Sequence, residues 1–128
     1  MHRMQPEELT LNAYQSRALQ TKSDQSDQRL AVANWAMGLA GETGELVDLL
    51  KKVYFHGHVL DRGALVKELG DVQWYLAILA EQLGISLQEV GHTNLQKLAS
   101  RYEGGFSSEK SVNRVESSPE DPGVQDPT

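Results

Sequence analysis

The chain has 128 residues, no cysteine, 39% apolar and 6% aromatic side chains, and 12 basic against 18 acidic groups for a net charge of −6. Length and apolar content suit one domain with its own core, built mostly from Leu, Val and Ala. The missing cysteines exclude disulfides, thiolate metal sites and cysteine nucleophiles and fit a reducing, cytoplasmic setting. The acidic balance argues against a nucleic-acid partner. No apolar run nears the ~20 residues of a membrane helix, and the opening MHRMQPEELT lacks a signal peptide's apolar stretch.

We expect residues 1–9 to form a flexible N-terminus. Thr10 can cap a first helix running to about Thr21, with Leu11, Tyr14, Ala18 and Leu19 facing inward. The polar run Lys22-Ser23-Asp24-Gln25-Ser26-Asp27 reads as a loop that ends on the next cap, Ser26 or Asp27. A long helix is predicted over 28–54, broken at Phe55-His56-Gly57-His58, where Gly57 can adopt positive φ. Asp61 caps a third helix over 62–83, which Gly84 terminates. Ser86-Leu87-Gln88-Glu89 has the form of a capping box and opens a fourth helix to about Tyr102, stopped by Gly104-Gly105. Residues 107–128 hold five serines, three prolines and only three aliphatics, all Val. We expect this acidic Ser/Pro-rich tail to be disordered. The body, 10–106, reads as an all-α bundle of four helices.

The informative feature is where the acids fall. With successive residues about 100° apart, Glu42 lies within the arc of Trp35, Leu39, Leu46, Leu49 and Val53, and Glu45 sits about 60° away at its edge. In the third helix Glu68 lies among Leu65, Val72, Tyr75 and Leu79, with Asp71 at that arc's edge. Glu45 precedes His58 by 13 residues and Asp71 follows it by 13. In a hairpin turning there, both acids lie about 20 Å from the turn. One Glu-x-x-Glu is ordinary helix surface; a second acid pair at matching depth, led by residues inside apolar stripes, is not. Four carboxylates are expected to converge, and two like charges ~5 Å apart repel by roughly 3 kcal/mol at an effective dielectric near 20. Cations or protons must relieve that repulsion. All-oxygen ligands select Mg²⁺ or Mn²⁺, and such ions serve phosphoryl chemistry by clamping phosphate oxygens and activating water.

Other residues are weighed against that cluster. Asn94, Lys97 and Arg101 share a face of the fourth helix at i, i+3, i+7, with Tyr102 nearby, and offer donors for a polyphosphate. Lys52 shares the side of Glu45. His56 and His58 lack further ligands for a metal site, and Glu89-x-x-His92 lacks the second Glu-x-x-His of a di-iron centre. Trp35, Trp74 and Tyr75 read first as core, with base stacking as the functional alternative. No phosphate-binding Gly-x-x-x-x-Gly-Lys loop occurs.

Gly38-Leu39-Ala40-Gly41-Glu42-Thr43-Gly44-Glu45-Leu46 and Glu68-Leu69-Gly70-Asp71-Val72 resemble the paired acid motifs of MazG-like all-α nucleotide pyrophosphohydrolases. Asn94-Leu95-Gln96-Lys97-Leu98, Arg101-Tyr102 and Gly105-Phe106 are similar to that family's C-terminal segment. The resemblance spans residues 11–106 in order. It implies an oligomeric four-helix fold, a homodimer or homotetramer, that cleaves a nucleoside triphosphate or deoxynucleoside triphosphate to monophosphate and pyrophosphate in nucleotide-pool control. By that resemblance Glu42, Glu45, Glu68 and Asp71 hold Mg²⁺, with Mn²⁺ as substitute, and one of them or the metal prepares the attacking water. Lys52, Asn94, Lys97, Arg101 and Tyr102 would contact the substrate, and Asn34 is a candidate for a base contact. Some relatives carry a further acid where this chain has Gly41. The alternatives are a phosphoribosyl-ATP pyrophosphohydrolase-like enzyme and a non-enzymatic helical module that binds a nucleotide or protein.

Overall fold

The computed structural model describes residues 7–102; the expected tail at 107–128 and the Gly105-Phe106 pair lie outside them. Four helices follow one another: α1 (Leu11–Leu19), α2 (Gln28–His56), α3 (Arg62–Gln82) and α4 (Leu87–Arg101), with no strand among the described residues. The all-α expectation therefore stands. The described residues divide into two compact units that part after Val90, so α4 begins in the first and continues in the second.

Each helix start is fixed by a side-chain oxygen that takes up otherwise unpaired amides. Thr10 Oγ1 accepts from Ala13 N at 3.1 Å. Asp27, rather than Ser26, caps α2 by accepting from Arg29 N and Leu30 N at 2.9 and 3.1 Å. Asp61 accepts from Ala64 N, and Ser86 Oγ from Glu89 N. The stops are glycines where predicted: Gly57 and Gly84 have φ of 71° and 73°. Behind each, an amide closes back over the turn, from His58 N to Lys52 O at 3.1 Å and from Ile85 N to Ala80 O at 2.8 Å.

Two boundaries move. α1 ends at Leu19 rather than Thr21, because Gln20 N and Thr21 N tighten onto the carbonyls of Arg17 and Ala18, and the Thr21 hydroxyl donates to the same Ala18 carbonyl at 2.7 Å. α2 continues two residues past Tyr54 to His56.

The core of the first unit sits where α1 covers the α2–α3 hairpin. Ala18, Ala31, Trp35 and Ile78 are buried together, flanked by Tyr14, Leu19, Trp74, Tyr75 and Leu79. A second buried group joins Ala77, Ala80 and Leu87, with Tyr14 touching both. Of the residues expected inward on α1, Leu11 is 41% exposed. It lies in the first turn, where side chains lean toward the helix N-terminus and past the covered surface. The side chain that does enter is Gln15. Its amide donates to the carbonyls of Ala77 and Ile85 at 3.1 and 3.0 Å, and its oxygen accepts from Leu87 N at 3.0 Å. One amide thus ties α1 to the end of α3 and the start of α4.

Aromatic rings fill the centre edge to face: Trp35 and Trp74 at 5.8 Å, Trp74 and Tyr75 at 4.9 Å. Trp35 Nε1 donates to Gln82 Oε1, and Trp74 Nε1 to Thr21 Oγ1. Gln28 and Gln82 bond side chain to side chain, and Gln28 Nε2 also reaches Gln82 O at 2.8 Å. Gly38 is glycine because a Cβ there would overlap the Tyr75 ring. The aromatic trio is the centre of the core.

Candidate active site

Closer to the hairpin turn than Trp35 and Trp74, the acids appear. α2 brings Glu42 and α3 brings Glu68 and Asp71, each at a position its helical period aims across the gap. One carboxylate oxygen from each of the three lies within 4.8 Å of the others, with Glu42 and Glu68 half-buried and Asp71 exposed. Glu42 Oε2 and Glu68 Oε2 are shielded from water and have no hydrogen-bond partner. A buried carboxylate oxygen with no donor is costly, more so beside two other acids. Burial pushes the Glu42 carboxyl above the usual range, and the charges of Glu45, Asp71 and Glu68 push it the same way.

Glu45 is exposed and stands outside that triad, on the wall of an adjoining cleft of about 620 Å³. Glu68 faces this cleft as well, so it is shared by the two. From the acids the cleft runs toward the hairpin turn past Gly41, Gly44, Leu49 and Val53. It ends among Lys52, His58, Val59 and Asp61. Lys52 is paired with Asp48 at 2.9 Å, and that bond together with the Lys52 charge holds the Asp48 carboxyl below its ordinary range.

The other residues expected at the site are placed as follows. Asn34 is exposed on α2. Asn94 and Lys97 are exposed on α4, whose last residue, Arg101, is half-buried like Tyr102; these four belong to the second unit. Sequence reasoning did not single out Tyr14, whose hydroxyl is raised first by burial and then by the charge of Asp71, so α1 carries a phenol into the acid field. It also passed over Asp48 and the loop residues Val59 and Asp61 as cleft walls. The i, i+4 spacing of Asp48 and Lys52 was the available signal.

The donor set is all oxygen, drawn from two helices held in register by the core, and its buried oxygens lack protons to accept. That chemistry fits a hard divalent cation. Residues 32–106 match the model of the MazG nucleotide pyrophosphohydrolase domain. The chain belongs to that family. The MazG domain begins in the first turns of α2 and takes in both acid motifs, and the family carries nucleotide pyrophosphohydrolase activity. The chain is also similar to the Gene 37 protein of Mycobacterium phage L5, 42% identical over 82 residues, spanning 61% of this chain and 72% of that protein. No solved structure matches the chain. Among the described residues no helix is long and apolar enough to cross a membrane.

Proposed function

We propose that this MazG domain hydrolyses a nucleoside or deoxynucleoside triphosphate between its α and β phosphates, giving the monophosphate and pyrophosphate. The observation that carries the reading is the pair of buried, partnerless oxygens on Glu42 and Glu68 beside Asp71. Glu42, Glu68 and Asp71 would hold Mg²⁺, or Mn²⁺ in its place, with Glu45 reaching the same ion or a second one from the cleft wall. When bound, the cation withdraws charge from the phosphate oxygens and acidifies water.

The chain's own contribution is positional. Glu42 and Glu68 are seated by two helices that the Trp35–Trp74 contact and the bonds of Gln28 and Trp35 to Gln82 tie together. Water attacks the α phosphorus, the bond from that phosphorus to the bridging oxygen breaks, pyrophosphate departs with the electron pair, and a proton is released. Position 41 carries no side chain to take that proton, so it passes to one of the clustered carboxylates. Lys52 serves the substrate from the cleft; Asn94, Lys97, Arg101 and Tyr102 are nominated as contacts by the family resemblance alone.

Self-association belongs to the same reading. Leu69 and Leu76 on α3 and Leu83 at its C-cap recur every seven residues and are 48%, 40% and 52% exposed. Leu65, Val72 and Leu79 each precede one of them by four residues and are half-buried. This is the seam of a helix that packs on another helix, and a second copy of the chain supplies it. The decisive experiment is pyrophosphate release from a panel of ribo- and deoxyribonucleoside triphosphates with Mg²⁺, Mn²⁺ or EDTA. Metal-dependent monophosphate and pyrophosphate are expected. Release of inorganic phosphate and diphosphate would overturn the assignment of the bond.

A further inference from the structure

We propose that the cleft beside the acid triad is the nucleoside subsite, in which Leu49, Val53 and Val59 pack against ribose and base while Lys52, Asp48 and His58 meet the base edge. The proposal rests on the pyrophosphohydrolase reading, which sets the reacting phosphorus at the acids. The cleft is continuous with that point, because Glu68 belongs to both. Its volume of about 620 Å³ falls within the ~300–1,000 Å³ usual for small-molecule sites. From Glu45 to Lys52 it extends seven residues along α2, about 10 Å.

Either end of the substrate could lie in this space, and charge decides between them. Beyond Glu45 and Glu68, the charged lining is Asp48 and Asp61 against the single permanent cation Lys52. That cation is already matched by Asp48 at 2.9 Å. A multiply charged diphosphate gains nothing from such a wall, whereas an uncharged nucleoside loses nothing. The aliphatic faces of Leu49, Val53 and Val59 suit a planar ring. The Lys52–Asp48 pair sets a donor beside an acceptor, the complement of a base edge on which an acceptor adjoins an amino or imino N–H.

The end wall is held in place. Gly57 turns the chain through positive φ, and the amide of His58 is bonded to the Lys52 carbonyl, so His58 and Lys52 keep their spacing. At the acid end, a Cβ on Gly41 or Gly44 would meet nothing within 4 Å. The chain's own packing does not require these helix glycines, each of which costs roughly 0.5–1 kcal/mol against alanine. They keep the mouth of the cleft wide.

The test is methyl NMR of the full chain with Mg²⁺, following Leu49, Val53 and Val59 during titration with an α,β-methylene nucleoside triphosphate and, separately, with inorganic tripolyphosphate. The nucleotide should move these methyls and tripolyphosphate should not. Methyls that ignore the nucleotide, or that answer equally to tripolyphosphate, overturn the proposal. A kinetic arm compares a nucleoside triphosphate with abasic deoxyribose 5′-triphosphate in His58→Ala and Asp48→Asn, both exposed positions. The preference in kcat/KM for the nucleotide should fall at least tenfold. Equal losses on both substrates would mean a phosphate contact and overturn the subsite, as would an unaltered preference. If the unmodified chain releases no pyrophosphate, the proposed reaction fails, and the methyl shifts still judge the subsite.

Discussion

Two stretches of the same hairpin face one problem, a polar side chain turned into apolar surroundings, and answer it differently. Where α1 covers the hairpin, Gln15 is buried with its amide donating twice and its oxygen accepting once, all to backbone groups. Closer to the turn, Glu42 and Glu68 each keep a buried oxygen with no partner. The first arrangement is complete and stabilises the fold. On the proposed function the second is completed by a bound cation, since the penalty of an unpaired buried group is tolerated where function requires it. Satisfied polar groups mark scaffold in this molecule, and the unsatisfied pair lies at the proposed site.

The sharpest way to break this contrast is to exchange the charge at the unsatisfied end. Glu42→Gln, or Glu68→Gln, removes a proposed metal ligand, and turnover should fall by at least ~10²-fold. Circular dichroism should still report the native helices. Added Mg²⁺ should raise the melting temperature of the unaltered chain and leave that of Glu42→Gln nearly unmoved. A variant that melts early and regains activity when cooled would instead make Glu42 structural.

At the satisfied end the effect should be on stability alone. Gln15→Leu strands the Ala77 and Ile85 carbonyls and the Leu87 amide, which should cost about 2–4 kcal/mol in a denaturant titration. Activity per folded molecule should be retained.

The glycines sharpen the comparison at smaller scale. Gly38→Ala drives a methyl into the Tyr75 ring and should destabilise by about 1–3 kcal/mol. Gly41→Ala and Gly44→Ala meet open space and should each stabilise the helix by roughly 0.5–1 kcal/mol. Both should raise KM for the substrate by narrowing the cleft. Paired melting and kinetic measurements would show the opposite signs.

The smallest effect is the pH dependence of the metal-free chain. Glu42 binds its proton more tightly folded than unfolded, since its carboxyl is raised by burial and by its acidic neighbours. Its contribution to stability therefore grows as pH falls from above the raised value toward the ordinary carboxylate value, and it is fully present below that. Asp48, lowered by Lys52, works in the opposite sense, its contribution being lost as pH falls through its folded value. In EDTA the melting temperature should rise on mild acidification above the range where Asp48 titrates. Saturating Mg²⁺ should reverse the slope, because protons then compete with the metal.

Much of this was legible before any coordinates. Short-range chemistry decides caps and stops, so Thr10, Asp61, Ser86, Gly57 and Gly84 act where the sequence puts them. Helical period alone aimed Glu42 and Glu68 into the apolar arcs, and three of the four expected carboxylates do meet. Glu45 stands apart because it lies at the edge of its arc, where a small helix rotation decides between triad and wall. Gln15 was missed because a lone glutamine reads as surface, and its partners are 62 to 72 residues away.

The sequence by itself determined the four helices, their caps and glycine stops, the acid pairs and the family, since each depends on neighbours within a few positions. Only the tertiary structure decided which acids share one centre, which polar groups are satisfied, and that Lys52, His58 and Asp61 wall a single cleft. The physical reason is that desolvation and charge pairing depend on what lies across the gap, and no local pattern records the far side.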